Sequence, residues 1–313
     1  MFSAVVFAYS EVGQRCLQVL LDAGVRVPLV FTHEDQPGEQ HWFGSVAAVA
    51  AAHGVRAVTP ADPAAPAWLA EIRELAPDYL LAFYYRAMLP PQLLQLPRWG
   101  ALNMHGSLLP RYRGRAPVNW AIANGEQRTG ATLHYMEARP DAGPIVAQEA
   151  VPIGPNDDAL AVSLAVAAAT TRVLAGALPA MAAGPPPARA MDLTAGSYFG
   201  GRRPEDGRID PDWPGWRVHA MIRAVAPPFP GAFLDVSGRR VVFASSRLTA
   251  LPAVHAALAP CLYSSDGQLY VECRDQVRLH IGSVIIDGVA CDGREFQERF
   301  GTQPWRLNFI ARD

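Results

Sequence analysis

The chain has 313 residues and no lysine; all 27 of its basic residues are arginine. That absence excludes chemistry built on a side-chain amine, such as a Schiff base, and it excludes a Walker-type phosphate loop. Cysteine is nearly as scarce. Cys16, Cys261, Cys273 and Cys291 form no CxxC pair and no Cys/His cluster at metal-ligand spacing. No signal sequence is read at the N-terminus, so free thiols in a reducing cytoplasm are the expectation. Net charge is only −2, which argues against a protein gripping long stretches of phosphate backbone. An uninterrupted membrane span is missing too. Residues 159–181 are apolar and alanine-rich, but Arg172 breaks the run short of the ~20 apolar residues a span needs, so a packed helix is expected. His33, His41, His53, His134, His219, His255 and His280 show no clustered spacing. They read as structural or surface residues, and no metal is expected.

What is present is a sizeable core, since 50% of the residues are hydrophobic. Apolar runs at 2–8, 25–32, 79–83 and 101–105 read as strands, and 11–23, 43–53 and 66–75 read as helices. Pro28 inside the second run points to the neighbourhood of a sheet edge. Further strands are expected at 129–135 and 145–151, followed by a helix over 158–181 with Leu160, Leu164, Ala168 and Leu174 on its buried face. The alternation predicts an α/β fold with a doubly wound, mostly parallel sheet, whose ligands lie at the carboxyl ends of the strands. The first turn, Tyr9-Ser10-Glu11-Val12-Gly13, lacks GxGxxG, so the dinucleotide fingerprint is absent. Gly184-Pro185-Pro186-Pro187 breaks the pattern as a stiff linker. Beyond it come a helix at 213–225 and short strands at 240–245, 269–273, 277–281 and 284–286. The expected organisation is a catalytic domain over 1–183, a linker over 184–206 and a smaller β-rich domain over 207–313.

Chemistry concentrates at 101–117. Residues two apart on a strand face the same side, so Asn103 and His105 project together. An amide donor beside an imidazole suits a reaction in which negative charge develops on an oxygen while a proton leaves a nucleophile. A polar pair bracing the next loop would look the same. Asp141, between Pro140 and Ala142-Gly143, reads by itself as a turn former; if its loop folds back over the end of the His105 strand, its carboxylate orients His105 and raises its pKa.

The string Asn103-x-His105-x-Ser107-Leu108-Leu109-Pro110-x-Tyr112-Arg113-Gly114, followed by Asp141-x-Gly143, resembles the signature of the 10-formyltetrahydrofolate-dependent formyltransferases. Ala224-Val225-x-Pro227-Pro228-Phe229-Pro230-Gly231 is similar to the entry of that family's C-terminal domain, so the resemblance spans nearly the whole chain. It implies a Rossmann-like catalytic domain and an OB-like C-terminal domain. It also implies Asn103, His105 and Asp141 as catalytic residues and 10-formyltetrahydrofolate as co-substrate, without a metal. The pterin would lie against Ala87, Met88, Leu89, Arg115 and Glu137-Ala138-Arg139-Pro140-Asp141.

Phe7-Ala8-Tyr9, Phe31-Thr32-His33-x-Asp35-x-Pro37-Gly38-Glu39 and Phe83-Tyr84-Tyr85-Arg86 resemble one subgroup, the formyltransferase half of a bifunctional enzyme acting on UDP-4-amino-4-deoxy-L-arabinose. That reaction belongs to lipid A modification and polymyxin resistance. The resemblance implies a nucleotide-sugar acceptor held by Tyr9, Ser10, Arg115 and the pair Arg202 and Arg203, with no nucleic-acid partner, no membrane insertion and a possible homodimer. Phe199-Gly200-Gly201-Arg202-Arg203 carries one glycine more than the subgroup's pattern, which leaves the register of the two arginines open. No decarboxylase half follows Asp313, as for a stand-alone enzyme or a fragment. Methionyl-tRNA formyltransferase shares the catalytic motif and is the rival. Residues 33–41 carry Glu34, Asp35 and Glu39 but no arginine, an acidic stretch that would repel tRNA phosphates. A hydrolase releasing formate, or a non-catalytic module binding folate or nucleotide, would also fit the motif.

Overall fold

Ser3–Ala8 (β1) is apolar at nearly every position and buried throughout, as expected of a strand covered on both faces. The computed structural model describes residues 2–35, 42–236 and 238–307. The chain divides into two compact units. The first is Met1–Pro117, Arg128–Pro152 and Ser163–Gly200, and the second is Val118–Gln127, Ile153–Val162 and Gly201–Asp313.

In the first unit β1 leads to α1 (Ser10–Asp22), β2 (Arg26–Phe31), α2 (Val46–Ala52), β3 (Ala57–Val58), α3 (Pro66–Leu75) and β4 (Tyr79–Phe83). Then come α4 (Pro91–Leu94), β5 (Ala101–His105), β6 (Arg113–Gly114), β7 (Arg128–Tyr135), β8 (Ile145–Pro152), most of α6 (Ala159–Ala183) and β9 (Tyr198–Phe199), whereas α5 (Pro117–Ala123) and the first residues of α6 fall in the second unit. Among the described residues one sheet has the order β3-β2-β1-β4-β5-β7-β8, parallel from β3 to β5 and antiparallel at β7 and β8. The mostly parallel α/β architecture expected from the alternation is the one observed. α1 buries Val12, Cys16, Leu17 and Leu20. Gly24, at φ 72°, lets its own N–H and that of Val25 reach back to the carbonyls of Leu21 and Leu20. Pro28 sits where the β1–β2 register shifts and before β2 begins to pair with β3, a place where a missing N–H is tolerated. Phe7 stacks on Phe31 with centroids 4.5 Å apart, over Ile72, Leu80 and Leu93. Burial of each such side chain contributes roughly 1.5–3 kcal/mol.

The face of α6 differs from the expected stripe. Val166, Ala169, Val173, Ala177 and Met181 are buried, whereas Leu164 is exposed and Leu160 and Ala168 are only half-buried; of the four predicted positions, Leu174 alone is fully inside. An alanine-rich helix is apolar on every side, so its periodicity does not select a face. By length and composition α6 would suffice to cross a membrane, and 44% of its most apolar stretch is buried inside the protein.

In the second unit α7 (Gly215–Ala224) precedes β10 (Ala232–Val236), β11 (Arg239–Phe243), β12 (Ser246–Leu248), β13 (Cys261–Ser265), β14 (Gln268–Glu272), β15 (Arg278–Ile281), β16 (Val284–Ile286) and β17 (Val289–Cys291). α8 (Gly293–Phe300), opened by a capping box between Asp292 and Glu295, and β18 (Trp305–Arg306) follow. The strands form antiparallel sheets of order β10-β11-β16-β17 and β12-β15-β14-β13-β18, the smaller β-rich domain that was expected. β10, β12, β13, β17 and β18 are strands that the sequence pattern does not announce. All four cysteines are buried and free.

Candidate active site

Five non-glycine residues of the first unit hold left-handed backbone with φ between 49° and 58°. Ser10 and Tyr84 follow β1 and β4, Tyr112 and Ala116 lie beyond β5, and Asp141 lies in the β7–β8 loop. Such conformations cost about 1–3 kcal/mol each and persist only where their surroundings impose them.

On β5, Asn103 and His105 share a face, as their spacing predicts. His105 is buried, and its Nε2–H donates to the Tyr112 carbonyl at 2.8 Å. That contact fixes the tautomer and leaves Nδ1 facing Asp141 Oδ1 at 3.6 Å. The β7–β8 loop thus folds back over β5. Asp141 is held there through Oδ2, which accepts from the Gly114 N–H at 2.8 Å. Oδ1 also lies 3.4 Å from Asn103 Nδ2.

A second imidazole completes the cluster. His134 sits directly opposite Asn103 in the β5–β7 ladder and is buried. Its Nδ1–H donates to the Tyr135 carbonyl at 2.8 Å, so Nε2 accepts from Asn103 Nδ2 at 3.1 Å and stands 3.6 Å from Asp141 Oδ1. Sequence reasoning assigns His134 no functional part. The available signal is a polar residue in an apolar strand, but its partner depends on a register the sequence does not display.

The loop after β5 is braced from β7 and β8. Thr132 Oγ1 donates to the Ser107 carbonyl at 2.6 Å, and Gln148 Nε2 donates to the Leu109 carbonyl at 2.8 Å. Ser107 Oγ in turn donates to the Arg111 carbonyl at 2.6 Å. Beyond it, β6 pairs with β9, and Tyr112 stacks on Phe199.

Burial sets the electrostatics. It pushes the His105 pKa below the ordinary imidazole value, outweighing the pull of Asp141 and Tyr112 in the other direction, and His134 adds to the lowering. Asp141 does pull the His105 pKa upward, as expected, but burial outweighs it and the net shift favours the neutral ring. For Asp141, burial alone would raise the pKa. His105, His134 and the Gly114 N–H together outweigh it and hold the carboxyl well below the usual range.

The remaining predicted residues are more dispersed. Met88 is 64% exposed while Leu89 is buried, and Ala87 is half-buried. Glu137, Ala138 and Arg139 are exposed and Pro140 half-buried, so both loops present surface that a flat ligand could cover. Arg115 is exposed, one residue beyond Gly114, with its N–H on the Phe199 carbonyl. Ser10 is half-buried. Tyr9 is buried, donates its hydroxyl to Asp35 Oδ1 at 3.0 Å and lies under the Arg86 guanidinium at 4.3 Å. Arg202 and Arg203 belong to the second unit. There the Arg202 guanidinium lies 4.3 Å over Trp120 and donates to the Asp206 carbonyl, whereas Arg203 is exposed. Gln36 to His41, including Glu39 of the acidic stretch, lie outside the described residues. Among the described residues no group of three or more His, Cys, Asp and Glu side chains is arranged to hold a metal.

Comparison with known proteins places these features in context. Residues 4–178 match the model of the formyl transferase family, and residues 202–301 match that of the formyl transferase C-terminal domain. The fold is similar to an N-formyltransferase from Helicobacter canadensis in complex with folinic acid and dTDP-3-aminofucose. That likeness has 18% identity, a TM-score of 0.69, and coverage of 90% of this chain and 99% of the other. It is also similar to HypX from Aquifex aeolicus in complex with tetrahydrofolic acid (18% identity, 96% of this chain, 47% of the other, TM-score 0.64). A third likeness is to methionyl-tRNA formyltransferase from Clostridium thermocellum (13% identity, 80% of this chain, 94% of the other, TM-score 0.56).

Proposed function

Because the chain belongs to the formyl transferase family, we propose that it moves the formyl group of 10-formyltetrahydrofolate onto the amine of a nucleotide-linked amino sugar. The observation that carries the reading is the cluster on β5. A half-exposed amide, Asn103, lies beside a buried neutral imidazole, His105, and one carboxylate oxygen of Asp141 lies within 3.6 Å of both.

The chemistry follows from those groups. The unprotonated acceptor amine attacks the formyl carbon, and the formyl oxygen gains negative charge. An Asn103 Nδ2–H exchanges its long contact with Asp141 Oδ1, 3.4 Å, for that oxyanion, and His105 takes the proton leaving the amine and passes it to the departing folate nitrogen. The ring would then be an imidazolium beside Asp141. A carboxylate that stays ionised in a buried site favours that cation. Nε2 already carries the hydrogen it gives to the Tyr112 carbonyl, so the ring gains the proton at Nδ1, beside Asp141 Oδ1. His134 holds the amide of Asn103, and the loops at 87–89 and 137–141 would receive the pterin.

Among acceptors, UDP-4-amino-4-deoxy-L-arabinose is favoured by the sequence resemblance, with Tyr9, Ser10, Arg115, Arg202 and Arg203 as binding residues. The similar Helicobacter canadensis protein, crystallised with dTDP-3-aminofucose, supports an amino sugar as the class. Glu34 and Asp35 speak against tRNA through repulsion of phosphates. Thermal stabilisation tests the two-substrate reading. Folinic acid and a uridine or thymidine diphosphate should each raise Tm and raise it further together. No shift at millimolar nucleotide would remove the nucleotide sugar.

A further inference from the structure

Arg113 is a buried cation without a counter-charge. It is 5% exposed, its Nε has no hydrogen-bond partner, and among the described residues no ion pair reaches its guanidinium. Among the described residues two other arginines are buried, and their Nε atoms likewise lack a partner, but each guanidinium is engaged elsewhere. Arg223 donates to the carbonyls of Gly154 and Asp157, and Arg278 lies 3.8 Å over the Tyr270 ring. Arg113 has neither kind of partner for its guanidinium. Its backbone is engaged with β9, the N–H donating to the Ser197 carbonyl in the β6–β9 ladder. A buried guanidinium nitrogen without a partner is unfavourable, and replacing a buried charged group by an apolar side chain is often neutral or stabilising.

Its position suggests what completes it. The preceding residue, Tyr112, accepts from His105 through its carbonyl, and the following residue, Gly114, donates its N–H to Asp141. Arg113 therefore sits between the two backbone contacts that hold the acid–base pair. Its planar fork matches the geometry of a phosphate or a carboxylate. We infer that Arg113 is a binding site for an oxyanion carried by one of the two substrates, either a phosphate of the nucleotide acceptor or a carboxylate of the folate. Its guanidinium donates to that oxyanion and gains the missing counter-charge only in the complex. The inference rests on the two-substrate reading above and adds a residue to it.

The test is calorimetric titration of wild type, Arg113→Met and Arg113→Lys with UDP, pyrophosphate and folinic acid, alongside the Tm of each unliganded protein. Arg113→Met should bind one class of anion about ten- to a hundredfold more weakly, the size of a charge-assisted hydrogen bond. Arg113→Lys should recover part of the loss. The unliganded Arg113→Met protein should melt at or above the wild-type temperature, which an arginine with a structural role would not allow. Weakening confined to UDP and pyrophosphate assigns the phosphate, and weakening confined to folinic acid assigns the carboxylate. Unchanged affinity for all three, or wild-type protein that binds none of them, overturns the inference. Should Arg113→Met fail to fold, the inference fails as well, because the buried charge would then be supporting the structure. Wild-type protein that binds folinic acid but no nucleotide would remove the nucleotide acceptor and leave Arg113 to be judged on folinic acid.

Discussion

Asp141 Oδ1 stands 3.6 Å from His105 Nδ1, on the side of the ring opposite the Tyr112 carbonyl that accepts from Nε2 at 2.8 Å. The imidazole is therefore held between a carbonyl and a carboxylate, and a proton gained at Nδ1 meets an anion at once. Burial keeps the ring neutral at rest, and the carboxylate favours the cation when it forms. A group that alternates between those states is suited to relay a proton.

His105→Ala should lower turnover by at least about two decades, the typical size of a general acid–base contribution, while the protein stays folded. Single-turnover formyl transfer with circular dichroism as a folding control measures this. Near-normal turnover would take His105 out of the reaction.

Acid should destabilise the protein in two windows. His105 has its folded pKa lowered, so below pH 6.5 the unfolded chain binds a proton that the folded chain refuses. Stability falls from there down to the folded value. Asp141 is depressed below 3.8, so its contribution is complete above that pH and disappears as pH falls toward the folded value. Tm measured from pH 8 to pH 3 should decline in both windows. Asp141→Asn should make the lower part of the decline shallower, because Asp192 and Asp235 are depressed as well, and an unchanged lower part would contradict the assignment of the ion.

His134→Gln should lower kcat about ten- to a hundredfold and leave KM for both substrates within about threefold. Its Nε2 orients Asn103 rather than touching substrate, and misplacing a catalytic group by a fraction of an ångström has effects of that order. Steady-state kinetics decide it, and a change in KM alone would show that His134 serves binding instead.

Gly114→Ala should destabilise the protein by about 1–3 kcal/mol and reduce turnover. Gly114 has φ 96°, and a Cβ there would run into the Phe199 carbonyl. The same residue supplies the N–H that holds Asp141. Urea denaturation and an activity assay together check both halves.

Much of this site is legible in the sequence. The apolar runs place β1, β4 and β5, and period-two geometry puts Asn103 and His105 on one face. Local periodicity cannot show long-range returns. The approach of Asp141 needs the β7–β8 loop to fold back, and the place of His134 needs the β5–β7 register. The buried face of α6 escapes for a different reason, since alanine and leucine surround that helix and only packing selects a side. β6 and β9, two residues each, are too short for any period, yet Gly114 of β6 and Tyr112 just before it carry the backbone groups that fix Asp141 and His105.

The most direct test of the central claim is formyl transfer from 10-formyltetrahydrofolate, with UDP-4-amino-4-deoxy-L-arabinose and methionyl-tRNA run side by side as acceptors. The account predicts a formylated sugar nucleotide and unmodified tRNA. Formylation of the tRNA alone, or formate release with neither acceptor modified, would contradict it.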